Sequence, residues 1–207
     1  MADISGIASE IDARMAALNA AREKALDDAR QIVRLSANSI RAVHRGEFEA
    51  ALRLGNEAGA LVASLRRELI PYPMLHWSGY VQDAQKEYAE ARLVYAIIAG
   101  QPLPSPDALG VEDAAYLNGI GEAVGELRRH VLDTIREGKL ERGEQMLAVM
   151  DDIYSLLIGI DYPDAITGSL RRTTDSVRGI LERTRGDLTI TLRQAALEQA
   201  LRAAGER

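Results

Sequence analysis

Apolar residues return along most of this chain every three, four or seven positions, the spacing that gathers them on one face of an α-helix. The first stretch to show it runs from about Ile4 to His44, with Ile7, Ile11, Met15, Leu18, Ala25 and Ile32 in register, and stops near Gly46. A second runs from about Glu47 to Leu69 and meets Pro71 and Pro73, where a missing amide proton and a ring clash end a helix. The third, His76 to Ala99, closes at Gly100, a residue suited to the turn that follows a helix. GQPLPSPDALG, residues 100–110, is read as the linker between helices three and four. Helix four covers Val111 to Glu137, helix five about Leu140 to Leu157, and GIDYP interrupts the pattern. A sixth helix, about Asp164 to Arg185, is expected to end at Gly186, leaving a C-terminal helix over Leu188 to Ala204 within the segment 187–207. Seven helices with mostly short connections predict an all-α bundle in a single domain over 1–207.

Two segments echo each other. IRAVHRGEFEAALRL (40–54) and TIREGKLERGEQML (134–147) both read as helix, glycine, helix. Their separation fits no solenoid period, so a recurring local turn explains them better than a repeat.

Composition changes the picture in one direction. The chain of 207 residues is long enough for a sizeable core. It is rich in Ala, Leu, Arg and Glu and has one Phe and one Trp, which favours helices over sheets. With no cysteine, disulfide frameworks and thiolate metal sites are excluded. No apolar run of about 18 residues occurs, and MADISGIASEIDARM lacks the charged start and apolar middle of a signal peptide. No membrane association and a cytoplasmic location are therefore expected. The net charge of −6 argues against a uniformly basic nucleic-acid binder. Yet among 25 basic residues only Lys24, Lys86 and Lys139 are lysines, and arginine is the better phosphate fork.

Candidate chemistry lies in carboxylates. In QKEYAEARLVYAII (85–98), at about 100° per residue, Tyr80, Ala84, Glu87, Ala91, Val94 and Ile98 fall on one stripe, with Glu87 near its centre. Asp83 and Glu90 flank it, while Gln82, Gln85, Lys86, Ala89 and Arg92 face away. A carboxylate buried alone is costly, so it pairs, binds a metal or becomes protonated. Two readings stand: an ion pair with an arginine, or a metal or acid–base site. Helix four adds Glu122 and Glu126, four apart and on one face, opposite an apolar stripe of Asp113, Leu117, Ile120, Val124, Leu127 and Val131. A solvated acidic face would explain them. Against that stand Gly119, Gly121 and Gly125, each disfavoured in a helix interior by about 0.5–1 kcal/mol and implying a close approach to this surface. Four carboxylates from two facing helices make an oxygen-rich set that hard cations such as Mg²⁺ or Mn²⁺ prefer, one able to activate water for phosphodiester hydrolysis. The histidines argue against a ferritin-like di-iron oxidase, because His44, His76 and His130 supply no Glu-x-x-His pair. Walker, Rossmann and nucleophile-elbow motifs are missing too.

Three stretches carry a resemblance: QKEYAEARLVYAII, DAAYLNGIGEAVGELRRHVLDTI, and the tail SLLIGIDYPDAITGSLRRTTDSVRGILERTRGDL. Together they resemble the translin superfamily, in particular the Trax (translin-associated factor X) branch with its archaeal relatives. The resemblance implies a translin-type seven-helix bundle assembling into a hollow homo-octamer. It further implies a metal-dependent endoribonuclease that cuts single-stranded RNA inside that shell. The alternative it leaves is a non-catalytic, translin-like binder of single-stranded RNA or DNA, and a plain helical scaffold is a third. By motif, Glu87, Glu90, Glu122 and Glu126 match the acidic set that holds Mg²⁺ or Mn²⁺, with Glu122 where Trax has aspartate. Asp83 and Asp113 are less secure helpers. RNA positioning is assigned to Arg66, Arg67, Arg92, Arg128, Arg129, Arg171 and Arg172, each able to fork onto a phosphate or else to form an ion pair. Trp77, Tyr80 and Tyr88 are candidates for base stacking or for packing.

Overall fold

A computed structural model describes residues 4–205; the extreme ends of the domain expected over 1–207 lie outside the described residues. Its helices, in chain order, are α1 (Ile4–His44), α2 (Phe48–Glu68), α3 (Pro73–His76), α4 (Gly79–Ala99), α5 (Pro106–Leu109), α6 (Asp113–Arg136), α7 (Leu140–Ile158), α8 (Asp164–Thr167) and α9 (Leu170–Gly205). Among the described residues there is no strand, in agreement with the all-α expectation, and no helix long and apolar enough to cross a membrane.

Local chemistry sets the boundaries. The two echoing segments are one turn used twice. Gly46 (φ 74°) and Gly138 (φ 73°) take the left-handed conformation. The next amides, of Glu47 and Lys139, donate back to the carbonyls of Ala42 and Thr134 at 2.9 Å, which closes the ends of α1 and α6. Pro73 and Pro106 open α3 and α5, where a proline's missing amide is no loss. Ser105 caps α5, its Oγ accepting from the Ala108 amide at 3.1 Å. The segment 100–110 thus contains one helical turn.

The C-terminal half departs from expectation. Gly186 ends nothing: α9 runs unbroken from Leu170 to Gly205, so the separate helix expected over 187–207 is its second half. A mid-helix glycine costs about 0.5–1 kcal/mol, too little to break a helix whose Leu181, Thr184 and Leu188 are buried where it packs on α6 and α7. The break instead falls at Gly168 and Ser169, both at positive φ. The start of α1 also differs. Ile7, Ile11 and Met15 are exposed, and burial begins only near Ala25.

Helix α1 packs on α2 and α4, α4 packs on α6, and α6 packs on α7 and α9. The two helices that carry the acids are therefore the middle of the bundle. Leu93 and Val94 of α4 and Val124 and Leu127 of α6 are wholly buried in the core.

Candidate functional site

Helices α4 and α6 meet at Gly119. A Cβ there would lie 2.8 Å from the Lys86 carbonyl oxygen and 3.1 Å from both the Ala89 Cβ and the Glu90 amide nitrogen. Only glycine permits this approach, and the approach makes the site. Glu87 and Glu90 of α4 and Glu122 of α6 bring one carboxylate oxygen each to within 4.8 Å of one another. Gly121 serves the other side, where a Cβ would strike Thr173 of α9. Gly125 faces open space beside the acids.

The cluster is electrostatically strained. Glu90 is buried, and its carboxyl is pushed up to about 8 by burial and then by the charges of Glu87, Glu122 and Glu126. Half-burial also raises the Glu87 carboxyl, with Lys86 pulling it back. Lys86 is the local cation. Its Nζ donates to Glu122 Oε1 at 2.8 Å and lies 3.4 Å from Glu87 and 3.6 Å from Asp83. Burial pulls against its charge, but the hydrogen bond to Glu122 and the surrounding carboxylates hold it firmly protonated.

Glu126 stands one step apart. Its Oε2 is 2.5 Å from Nε2 of His44, at the end of α1. That bond holds the Glu126 carboxyl below the usual range despite partial burial. The His44 ring is almost wholly enclosed, and its Nδ1 is buried without a partner. Sequence reasoning missed both His44 and Lys86. His44 lies 82 residues from Glu126, so no local pattern links them. Lys86 stands next to Glu87, yet helical periodicity puts it on the outer face.

Of the candidate arginines, Arg172 alone shares the groove that runs from the acids. The groove, about 920 Å³, lies between α4, α6 and the start of α9, and Trp77, Lys86, Glu122, Asn118, Arg172 and Thr173 line it. Arg129 is exposed near Glu126. Arg171 lines a second groove, with Tyr154 and Tyr162. Arg66 and Arg67 are exposed at the end of α2. Arg92 turns away from the acids and lies along α2, donating to Asn56 Oδ1 at 2.8 Å and packing on Gly55. Arg128 ties α6 to α9 through Thr184 and Asp187. Asp113 is exposed at the head of α6. Among the aromatic candidates, Tyr88 is buried with its hydroxyl against Gly59, Tyr80 is half-buried, and Trp77 is 63% exposed.

Three oxygen donors on two helices, one of them buried and held near neutrality, fit a hard divalent cation. Glu126, expected to complete the set, lies outside these three donors, its carboxylate turned to His44 while its charge still acts on Glu90.

No family model matches the chain. It is 32% identical to an uncharacterized protein of Methanocaldococcus jannaschii over 186 residues, covering 87% of this chain and 81% of that one. Among solved structures, AfC3PO in complex with duplex RNA superposes with a TM-score of 0.84 at 34% identity, over 90% of this chain and 96% of that chain. AfC3PO alone gives the same TM-score and identity. The apo form of NeC3PO, at 24% identity and a TM-score of 0.82, shows the same fold over 92% of this chain.

Proposed function

The chain belongs to the translin superfamily, and from that premise we propose that it is a metal-dependent endoribonuclease cutting single-stranded RNA within an oligomeric shell. The observation that carries this reading is the convergence of Glu87, Glu90 and Glu122 within 4.8 Å across the Gly119 crossing. A scaffold gains nothing from a buried carboxylate among like charges. The relative AfC3PO has been crystallised with duplex RNA, which supports RNA as the substrate class.

Glu87, Glu90 and Glu122 would hold Mg²⁺ or Mn²⁺, with Glu126 as a fourth ligand or an outer-shell acceptor. Bound there, the ion supplies a Lewis acid for the phosphoryl oxygen and a water of lowered pKa. Glu90 would hold the ion as its carboxylate, the form that ligates a hard cation. Glu126, kept ionised and held in place by His44, would accept a hydrogen bond from an attacking water and orient it. Arg172 and Lys86 supply positive charge to the phosphate beside the acids. The exposed stripe Ile4, Ile7, Ile11 and Met15 on α1 is the kind of surface a second copy covers, which supports assembly into the octamer that the resemblance implies.

One observation favours the second reading, a non-catalytic binder of single-stranded RNA or DNA. Lys86 already neutralises part of the cluster. The deciding experiment is cleavage of a short end-labelled single-stranded RNA in Mn²⁺ or Mg²⁺, in EDTA, and by Glu126→Ala. Cutting that needs the metal and is lost in the variant is expected. RNA bound but uncut by assembled wild-type protein under every condition would overturn the nuclease reading in favour of the binder.

A further inference from the structure

Trp77 is the chain's single tryptophan, and it stands in solvent at 63% exposure. An indole left so open is unusual, since burying its large face is strongly favourable. It is nevertheless anchored. Its ring meets the His76 ring edge to face, with centroids 4.9 Å apart and an interplanar angle of 90°. His76 in turn is bonded through Nε2 to Glu112 Oε1 at 3.1 Å, and its carbonyl accepts from Gln82 Nε2 at 2.9 Å. At this perpendicular angle His76 covers at most one face of the indole and leaves the other open.

The surroundings say what that face is for. Trp77 lines the same groove as Lys86, Arg172 and Glu122. Arg172 forms no ion pair or side-chain hydrogen bond among the described residues, and it is exposed. One aromatic plane, an unpaired guanidinium and the edge of the carboxylate cluster, all in one groove, match the parts of a nucleotide. The base is offered a π-face, and the phosphate is offered a fork of donors.

We propose that this groove is a nucleotide subsite in which Trp77 stacks on a base of single-stranded RNA and Arg172 holds the adjoining phosphate. It rests on the nuclease reading only in placing that nucleotide next to the bond cut at the acids. Stacking on any base makes the subsite tolerant of sequence.

Because the protein has one tryptophan, its emission reports on this position alone. The full-length protein is titrated in EDTA, where cutting is prevented, with oligo(A), oligo(U) and an abasic ribose-phosphate oligomer of equal length. Anisotropy of an end label follows binding independently. The bases are expected to quench Trp77, while the abasic oligomer binds more weakly and leaves emission unchanged. Trp77→Leu should weaken oligo(A) binding about tenfold. Arg172→Gln should weaken all three oligomers and retain quenching at saturation. RNA that binds with no change in emission, or that binds Trp77→Leu as tightly as wild type, overturns the subsite. So does emission that shifts with protein concentration alone, which would place Trp77 in a subunit interface. Quenching in a protein that never cuts RNA in Mn²⁺ would sink the nuclease reading and leave the subsite standing; failure to bind any oligomer would sink both.

Discussion

Replacing Glu90 by glutamine is expected to stabilise the metal-free protein above neutral pH while removing its response to metal. The carboxyl of Glu90 titrates at about 8 in the folded chain, against 4.5 when free, because it is buried and faces Glu87, Glu122 and Glu126. Below the unfolded value it is protonated in both states and brings no penalty. Between 4.5 and 8 the unfolded chain has released its proton and the folded chain retains it, so stability falls as pH rises. Above 8 the folded chain must hold the anion, and the loss levels off. At about 1.36 kcal/mol per unit, the full separation corresponds to roughly 4–5 kcal/mol. Glutamine keeps the shape without the charge. Allowing for its imperfect fit, Glu90→Gln should exceed wild type by roughly 2–4 kcal/mol near pH 8.5 and match it near pH 4.5. Urea unfolding followed by circular dichroism, at both pH values, in EDTA and at equal protomer concentration, measures the difference. Adding Mn²⁺ should then raise the wild-type midpoint and leave the variant where it was, since a ligand stabilises only the state that binds it. A variant less stable than wild type at both pH values would refute the reasoning, because it would make Glu90 a satisfied structural partner.

Two further substitutions test the crossing and one tests the local cation. Gly119→Ala drives a methyl into the α4 backbone and should lower stability by about 1–3 kcal/mol and weaken Mn²⁺ binding with it. Gly125→Ala, with nothing within 4 Å, should be neutral or stabilising by up to about 1 kcal/mol; thermal unfolding of the pair reads the contrast, and equal losses would deny that Gly119 sets the spacing. Lys86→Met removes the ammonium that competes for Glu122 and Glu87. Mn²⁺ alone, followed by electron paramagnetic resonance, should bind this variant about tenfold more tightly, a change of about 1.4 kcal/mol. Unchanged or weaker binding would show that Lys86 assists the cation site instead of opposing it.

Periodicity made the helices legible because most of them have a solvent side. Their ends were legible wherever a residue has a conformational reason to stop a helix, as Pro71, Gly100 and Gly138 do. Gly186 misled because glycine marks an end only when the chain turns there, and α9 has buried contacts on both sides of it. The acid pairs were legible from spacing, but the faces of α4 were not. Packed by α1, α2 and α6, this helix has scarcely any outside, so a wheel that assigns one loses its meaning. Gln85, expected to face away, is buried and accepts the Glu112 amide at 2.8 Å, fixing the start of α6. Lys86, expected on the same outer face, reaches across to Glu122. Contacts made across the sequence, such as His44 with Glu126, leave no trace in any local window.

The arginines show where a single subunit stops explaining its own surface. Arg92 and Arg128 are used up in joining helices, so truncating either should register first in stability. Arg66, Arg67, Arg129, Arg171 and Arg172 form no ion pair or side-chain hydrogen bond among the described residues and are exposed. On a chain of net charge −6, an RNA phosphate finds a favourable potential only where such unpaired guanidinia gather. Within one subunit they are dispersed over α2, α6 and α9; Arg129 stands near Glu126, and Arg172 is the one that lines the groove with Glu122. Neighbouring subunits would have to bring the others toward that groove. If they do, RNA affinity should fall when the assembly is broken by a charge on the open face of α1, as in Ile11→Asp, even though that residue lies outside the groove. Affinity that survives dissociation into monomers would confine RNA recognition to the Trp77 groove.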